Sequence, residues 1–454
     1  MLMRIGRGSI VIEWPEDEIL NGLARFVHTK DGSGRYEELY TLSRDKNTLV
    51  TMPGFVNRIM NLRRPDRIKD DRVPMPSPNF EAAHVHLDTA WHRAVDDALV
   101  AGGGVMSVPS ILGTAQTSAA LIRAFPRDAL AERGTPIAVV AADDRLDVRE
   151  IALSLRRMLP ERDIGMNTSG VFTDSDDVVC TTYGALDETD LKHVGLFIGD
   201  IDGVDFAKRA EKISMLRNAA RFGVLVTPFG GGGIGMDVEG LFGPVVASAT
   251  YDDAVKAGIG APISVLWLPC PKPKTYLGPA DMATMERVAT RENPEFIVKV
   301  AEILRDVRPD EGCFVVSDDV EFLKRLQILE PVPILHQKLP KKERMAFEAS
   351  MADGNVRKVA MTSGFDSCGG YSVMVSATCS GDVRSIPWRR KEQASGKTVI
   401  VDFRHDWDVH NGRPGYLLMA DSARENKYRE MGFASSYDSQ DVQSPRPTGF
   451  NQEA

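Results

Sequence analysis

The stretch SILGTAQTSAALIRAF, residues 110–125, follows the apolar run GVMSVP and opens a helical pattern. A strand that turns through a glycine-bearing loop into a helix is the setting of a phosphate-binding loop, G-x-x-x-x-G-K-[ST]. There, backbone N–H groups and the lysine hold phosphate oxygens. Here Ser110 begins the frame, and Ala115, Gln116 and Thr117 stand where glycine, lysine and Ser/Thr belong. The frame speaks for the fold, and the altered residues speak about the chemistry.

Outward from this stretch, short apolar runs alternate with amphipathic helical patterns. DTAWHRAVDDALVAG (88–102) reads as a helix before it. PIAVVAA (136–142), DDVVCTTY (176–183), HVGLFIGD (193–200) and FGVLVTP (222–228) read as buried strands after it. FAKRAEKISMLRNAAR (206–221) reads as a basic amphipathic helix. Such alternation predicts a parallel sheet covered on both faces. A Pro-rich run, PCPKPKTYLGP (269–279), separates it from a second unit of the same kind. That unit has helices at 292–307, 319–329 and 341–354 and strands at 312–318, 331–337, 357–363, 371–377 and 397–403. The expected organisation is a small N-terminal domain over 1–80, a first α/β domain over 81–268 and a linker over 269–290. A second α/β domain over 291–434 and a loose polar tail over 435–454 complete it.

The chain has 454 residues and no apolar run of membrane-spanning length, so no membrane partner is expected. Its five cysteines, Cys180, Cys270, Cys313, Cys368 and Cys379, are scattered without C-x-x-C spacing. That pattern argues against a zinc ribbon and fits a reducing cytoplasm. The net charge of -9 argues against indiscriminate nucleic-acid binding but leaves room for a local basic groove. FRHDWDVHNGRPG (403–415) carries His405, Asp406, Asp408 and His410 within six positions, a spacing open to a divalent metal. On a strand, however, Asp406, Asp408 and His410 share one face and His405 the other. A polar strand end before an NG turn is the better explanation of them.

Taken together, the motifs resemble superfamily 2 DNA helicases of the DEAD/DEAH type, especially phage-like and repair-type members. The resemblance covers roughly residues 40–435. Residues 110–117 align without gaps to the family's A-P-T-G-T-G-K-T, with Gly113, Thr114 and Thr117 matching. GLFIGDIDG (195–203) resembles the strand that ends in D-E-x-H. Asp200 matches the Mg²⁺-orienting aspartate, whereas Ile201 replaces the water-activating glutamate and Gly203 the histidine. Asp202 lies on the opposite face of the chain from that glutamate position. RFGVLVTPFGGGG (221–233) resembles R-x-G-L-T-A-T-P, and GLFGPVVA (240–247) matches G-x-F-G-P-V. Trp91 stands where the adenine-reading glutamine would be. In the second unit, residues 334–363 follow the H-G…E-R…K-V-L-V-A-T pattern, and IPWRRKEQASGKTVIVDF (386–403) follows Q-x-x-G-R-x-x-R…V-x-D-F. Arg389 there is the arginine-finger candidate.

The resemblance implies two tandem RecA-like parallel-sheet domains with a small N-terminal domain. It implies ATP and Mg²⁺ as ligands, at Gly113, Thr114, Thr117, Asp200 and Arg389, with Mg²⁺ between Thr117 and Asp200. It also implies DNA, forked or branched, in a cleft between the domains, with Arg145, Lys341, Lys342 and Arg384 as contacts. The replaced residues, Gln116 and Ile201 above all, imply that hydrolysis is lost, since neither can hold a phosphate by charge or accept a proton. Three readings follow: a DNA-binding replication or repair accessory or inactive subunit beside an active helicase; an active ATP-dependent helicase; and a structural or virion-associated protein that reuses the fold.

Overall fold

Alternation of buried and exposed residues builds the first sheet of the chain. In the computed structural model, Met3 and Ile5 of strand Leu2–Ile5 point into a small core with Ile10, Ile12 and Leu49, while Arg4 points out. The strand order is Tyr40–Leu42, Thr48–Thr51, Ile10–Glu13, Leu2–Ile5, Arg67–Asp70. All neighbours are antiparallel except the last pair. The structure describes residues 1–6, 9–22, 27–30, 35–72, 75–109, 111–132, 134–168, 171–173, 175, 177–188, 191–202, 204, 206, 209–216, 218–227, 234–260, 262–275, 281–308, 311–336, 338–352, 355–362, 371–379 and 398–437. The chain divides into two compact units, 1–250 and 251–454.

Unit 1 holds the small sheet and a larger one. The larger runs Val171–Thr173, Ile164–Thr168, Val178–Thr182, Ile137–Ala142, Val194–Asp200, Ala220–Thr227, Gly104–Pro109, Val245–Ser248. Every neighbouring pair is parallel except the one that adds Val171–Thr173. Strands Gly104–Pro109 and Ile137–Ala142 are buried at every position, as a sheet covered on both faces requires. Helix Thr89–Ala101 is capped by Asp88, whose side chain accepts from the Ala90 N–H, and it ends on left-handed Gly102 at φ +68.

The small sheet is seated on helix Met236–Phe242. Arg58 Nε and Nη2 donate to Glu239 Oε1 and Oε2 at 2.7 and 2.6 Å. A Cβ at Gly54 would stand 1.7 Å from the Glu239 carbonyl oxygen, and one at Gly240 would stand 2.3 Å from Met52 Sδ. Two glycines therefore permit the contact that fixes the N-terminal sheet to the α/β layer. Gly54→Ala is expected to force this contact apart. The loss should lie at the upper end of the roughly 1–3 kcal/mol of an overpacked site. Earlier proteolysis of residues 1–80 with an intact remainder would show it.

Unit 2 has one wholly parallel sheet. Its order is Ile334–Leu335, Lys358–Met361, Cys313–Val316, Val373–Ser376, Thr398–Arg404, Ile263–Pro269, Ala434–Tyr437. Helices Pro294–Asp306 and Val320–Leu329 cover one face through Phe296, Val300, Phe322 and Leu326. Both α/β units are thus present, with their small N-terminal companion, in the fold class expected.

Four local expectations need correction. Residues up to 268 were expected in the first α/β unit, yet Ile263–Pro269 is an interior strand of the second sheet, paired residue for residue with Thr398–Arg404. The stretch expected as a linker contains helix Met282–Ala289, capped by Asp281. The expected loose tail begins with an edge strand, Ala434–Tyr437. The expected helix over 206–221 shrinks to Ala210–Ser214 among the described residues. Its last residue, Arg221, lies in a strand, with its guanidinium buried against the Leu216 and Leu241 carbonyls.

Candidate functional site

Strand Gly104–Pro109 feeds helix Gly113–Ala124, as the phosphate-loop frame predicts. Gly113 has φ +67, a conformation that favours glycine, and begins the helix. The N–H groups of the first turn have no partner within the helix, whose start lies beyond the carboxyl end of strand Gly104–Pro109. Asp200 ends strand Val194–Asp200, one strand removed from Gly104–Pro109 in the same sheet. The Thr114 hydroxyl donates to Asp200 Oδ2 at 2.6 Å. The sequence-predicted loop and carboxylate therefore converge, although they lie 86 positions apart.

Each side chain there has a definite place within the protein. Thr117 is fully buried, and its hydroxyl donates to the Gly113 carbonyl at 2.8 Å, inside its own helix. Asp200 Oδ2 is engaged by Thr114, and Oδ1 accepts the Asp202 N–H at 3.3 Å. Gln116 is half-buried and brings no charge. Ile201 is 5% exposed and belongs to the core with Val105, Phe197, Leu225 and Phe242. The position that would carry a water-activating carboxylate is thus part of the apolar interior. Asp202 is exposed. Gly203, Arg384 and Arg389 lie outside the described residues, as do Ser110 and Pro228.

A brace beneath Asp200 was not visible in the motifs. The Tyr183 hydroxyl donates to the Asp200 carbonyl at 2.8 Å. Burial pushes its phenol well above the usual range, and the charges of Asp200 and Asp143 push it further. Tyr183 packs edge-on against Phe197 and Phe206, and Phe206 edge-on against Phe242. A Cβ at Gly199 would meet the Tyr183 hydroxyl at 2.4 Å. The only sequence signal was the Phe242 of the G-x-F-G-P-V match.

Of the expected nucleic-acid contacts, Arg145 begins helix Arg145–Met158 and is exposed. Lys341 and Lys342 begin helix Lys341–Ala352, and Lys342 is exposed. Unit 2 also holds a cleft of about 700 Å³ that the motifs did not reveal. It lies past the carboxyl ends of Cys313–Val316 and Ile334–Leu335, where open parallel sheets place ligands. Its cations are Arg287, Arg291, Lys324 and Lys338. Arg287 pairs with Glu292, Arg291 with Asp319 and Lys324 with Glu321. Lys338 is exposed and has no carboxylate partner among the described residues, and His336 Nδ1 is buried without a hydrogen-bond partner among them.

The His/Asp cluster resolves into structural roles. His405 Nδ1 lies 3.0 Å from Asp421 Oδ2, a partner from helix Tyr416–Glu430. Asp406 pairs with Arg404. Asp408 lies 2.8 Å from His410 Nε2 and accepts the Leu417 N–H, closing the start of that helix. Among the described residues no group of three or more His, Cys, Asp or Glu is arranged to hold a metal ion. Behind His405 lies a buried ionic cluster. Arg424 donates to both oxygens of Asp402 at 3.0 and 3.1 Å and to Asp421 at 2.9 Å, and the Tyr428 hydroxyl donates to Asp402 at 3.0 Å. Cys180, Cys270, Cys313 and Cys379 are all buried free thiols, in keeping with core roles.

No family model and no curated protein matches the chain. Among solved structures it is similar to the DUF1998 helicase MrfA bound to DNA and AMPPNP, with a TM-score of 0.51 and 14% identity. That match covers 81% of this chain and 55% of MrfA. The chain shares its fold with this helicase. Weaker similarities are to T4 UvsW, at a TM-score of 0.42, 15% identity and 96% and 99% of the two chains. Another is S. cerevisiae Dbp5 bound to RNA and ADP BeF3, at a TM-score of 0.49, 14% identity and 77% and 90%. The assignment of fold rests on MrfA. Among the described residues no helix is long and apolar enough to cross a membrane.

Proposed function

We propose that the chain is a DNA-binding protein built on a helicase fold that does not hydrolyse ATP. It serves as a replication or repair accessory, or as the inactive subunit beside an active helicase. The observation that carries this reading is the state of the loop: a glutamine at the lysine position, and an isoleucine packed into the core at the glutamate position. The residues present do not fit ATP with Mg²⁺ as a substrate. Loss of a positioned base costs on the order of 10²–10⁴ in rate. Loss of a charge that stabilises the transferring group costs on the order of 10²–10³ more. Gly113, Thr117 and Asp200 are the groups left for a nucleotide held as a structural ligand.

DNA binding is supported by the exposed Arg145 and Lys342 and by the cleft that Lys338 borders. MrfA, whose fold this chain shares, is described bound to DNA. Forked DNA should bind at low salt. Affinity should fall by at least tenfold between about 50 and 200 mM salt, as released counterions require. Fluorescence anisotropy with forked, branched and blunt duplexes checks this. No binding of any of them at low salt would contradict the DNA part of the proposal.

A further inference from the structure

The end of the N-terminal sheet carries a second feature. Register places Arg67, Leu2, Glu13 and Thr48 in one row across neighbouring strands. One step beyond, Trp14 donates its backbone N–H to the Asn47 carbonyl at 2.8 Å. Trp14 has φ +58 and is 65% exposed. A left-handed backbone is costly for a bulky L-residue, and an indole this exposed recovers little by burial. Lys46, in the turn beside it, is held at φ +56. Strain without packing in return collects where a surface meets a ligand.

The charges around Trp14 are sorted. Arg44, Lys46 and Arg67 are exposed and have no carboxylate partner among the described residues. Arg67 stands two strands away, about 10 Å. The nearby carboxylates are mostly engaged: Glu13 with Arg4, Glu16 with Arg63, and Asp45 with Ser43 and Asn47 inside the turn. Asp17 and Glu18 sit in the first turn of helix Asp17–Gly22. An exposed indole beside uncommitted cations suits a chain whose bases are unstacked and whose backbone is anionic. A duplex offers the phosphates but not the open base faces.

We infer that Trp14, Arg44, Lys46 and Arg67 form a contact for single-stranded nucleic acid outside the two α/β units, with Trp14 stacking on a base and the cations on phosphates. This rests on the DNA-binding reading above. The test uses the full chain, with anisotropy of a labelled oligo-dT and of a blunt duplex. Trp14→Ala should weaken oligo-dT binding about tenfold, the loss of one base stack, and leave the duplex unchanged. Arg44→Glu with Lys46→Glu should weaken it further and flatten its salt slope by about one to two. Trp14→Gly should lose oligo-dT affinity while raising Tm by about 2 °C, because glycine relieves the backbone; a purely structural tryptophan would lower Tm. Wild-type binding of oligo-dT that survives all three variants would overturn this inference and leave the DNA-binding reading intact. A wild-type chain that binds neither probe would overturn both.

Discussion

Arg424→Met is expected to destabilise unit 2 by about 3–5 kcal/mol, the cost of breaking a buried ion pair from one side. Arg424 is 1% exposed and sits between two carboxylates that are themselves buried, Asp402 and Asp421. Methionine keeps the volume and removes the charge, so Asp402 loses the guanidinium that pairs with it and Asp421 is left with His405. Urea unfolding followed through Trp267 is the direct readout. That ring lies 5.9 Å from the guanidinium carbon and is 1% exposed. The cluster also carries a pH signature. Burial alone would lower the His405 imidazole, but Cys270 and Asp421 outweigh it and hold the group well above its usual range. Burial would raise Asp421, but His405 and Arg424 outweigh it and hold the carboxyl low. A raised histidine stabilises fully below its unfolded value of about 6.5 and loses that contribution as pH climbs through the folded value. A lowered aspartate stabilises above about 3.9 and loses its contribution as pH falls through the folded value. Unit 2 should therefore weaken on the alkaline side of neutrality, and His405→Gln should remove that slope.

Ile201→Glu, the substitution that would restore the missing carboxylate on paper, is expected to destabilise unit 1 by about 3–5 kcal/mol and to generate no turnover. Ile201 packs with Val105, Phe197 and Phe242 in the core, and its backbone N–H donates to the Val224 carbonyl at 3.0 Å. A glutamate there loses apolar burial and places a carboxylate among the apolar side chains of that core. Ile201→Val, by contrast, should cost only about 0.5–1.5 kcal/mol. Thermal unfolding of the two variants side by side checks the contrast. Gln116→Lys alone should leave ATP turnover at background, because the site still lacks a base.

The phosphate-loop helix, the strand before it and Asp200 were all legible, because each lies in a strongly periodic or fully apolar run that only one type of element satisfies. The allegiance of Ile263–Pro269 was not. A buried parallel strand looks the same whichever sheet it joins, and its partner Thr398–Arg404 lies more than 130 positions on. Ala434–Tyr437 is exposed at every position, so no hydrophobic pattern marks it as a strand. The run 206–221 reads as a basic amphipathic helix, yet Arg221 is buried in a strand, where its guanidinium donates to the Leu241 and Leu216 carbonyls. His405 was weighed against its near neighbours, but its partner Asp421 arrives from a helix 16 positions later. At the loop itself, the sequence showed Gln116 and Ile201 where the motifs it resembles carry lysine and glutamate. It did not show that Thr114 engages the remaining carboxylate or that Tyr183 braces its strand.

The most direct test of the central claim is ATP turnover by the purified chain, with and without forked DNA, beside Asp200→Ala purified in the same way. The account predicts equal background rates in both proteins and no stimulation by DNA. Turnover that DNA stimulates in the wild type and that disappears in Asp200→Ala would contradict it, and would make the chain an active helicase-type ATPase despite Gln116 and Ile201.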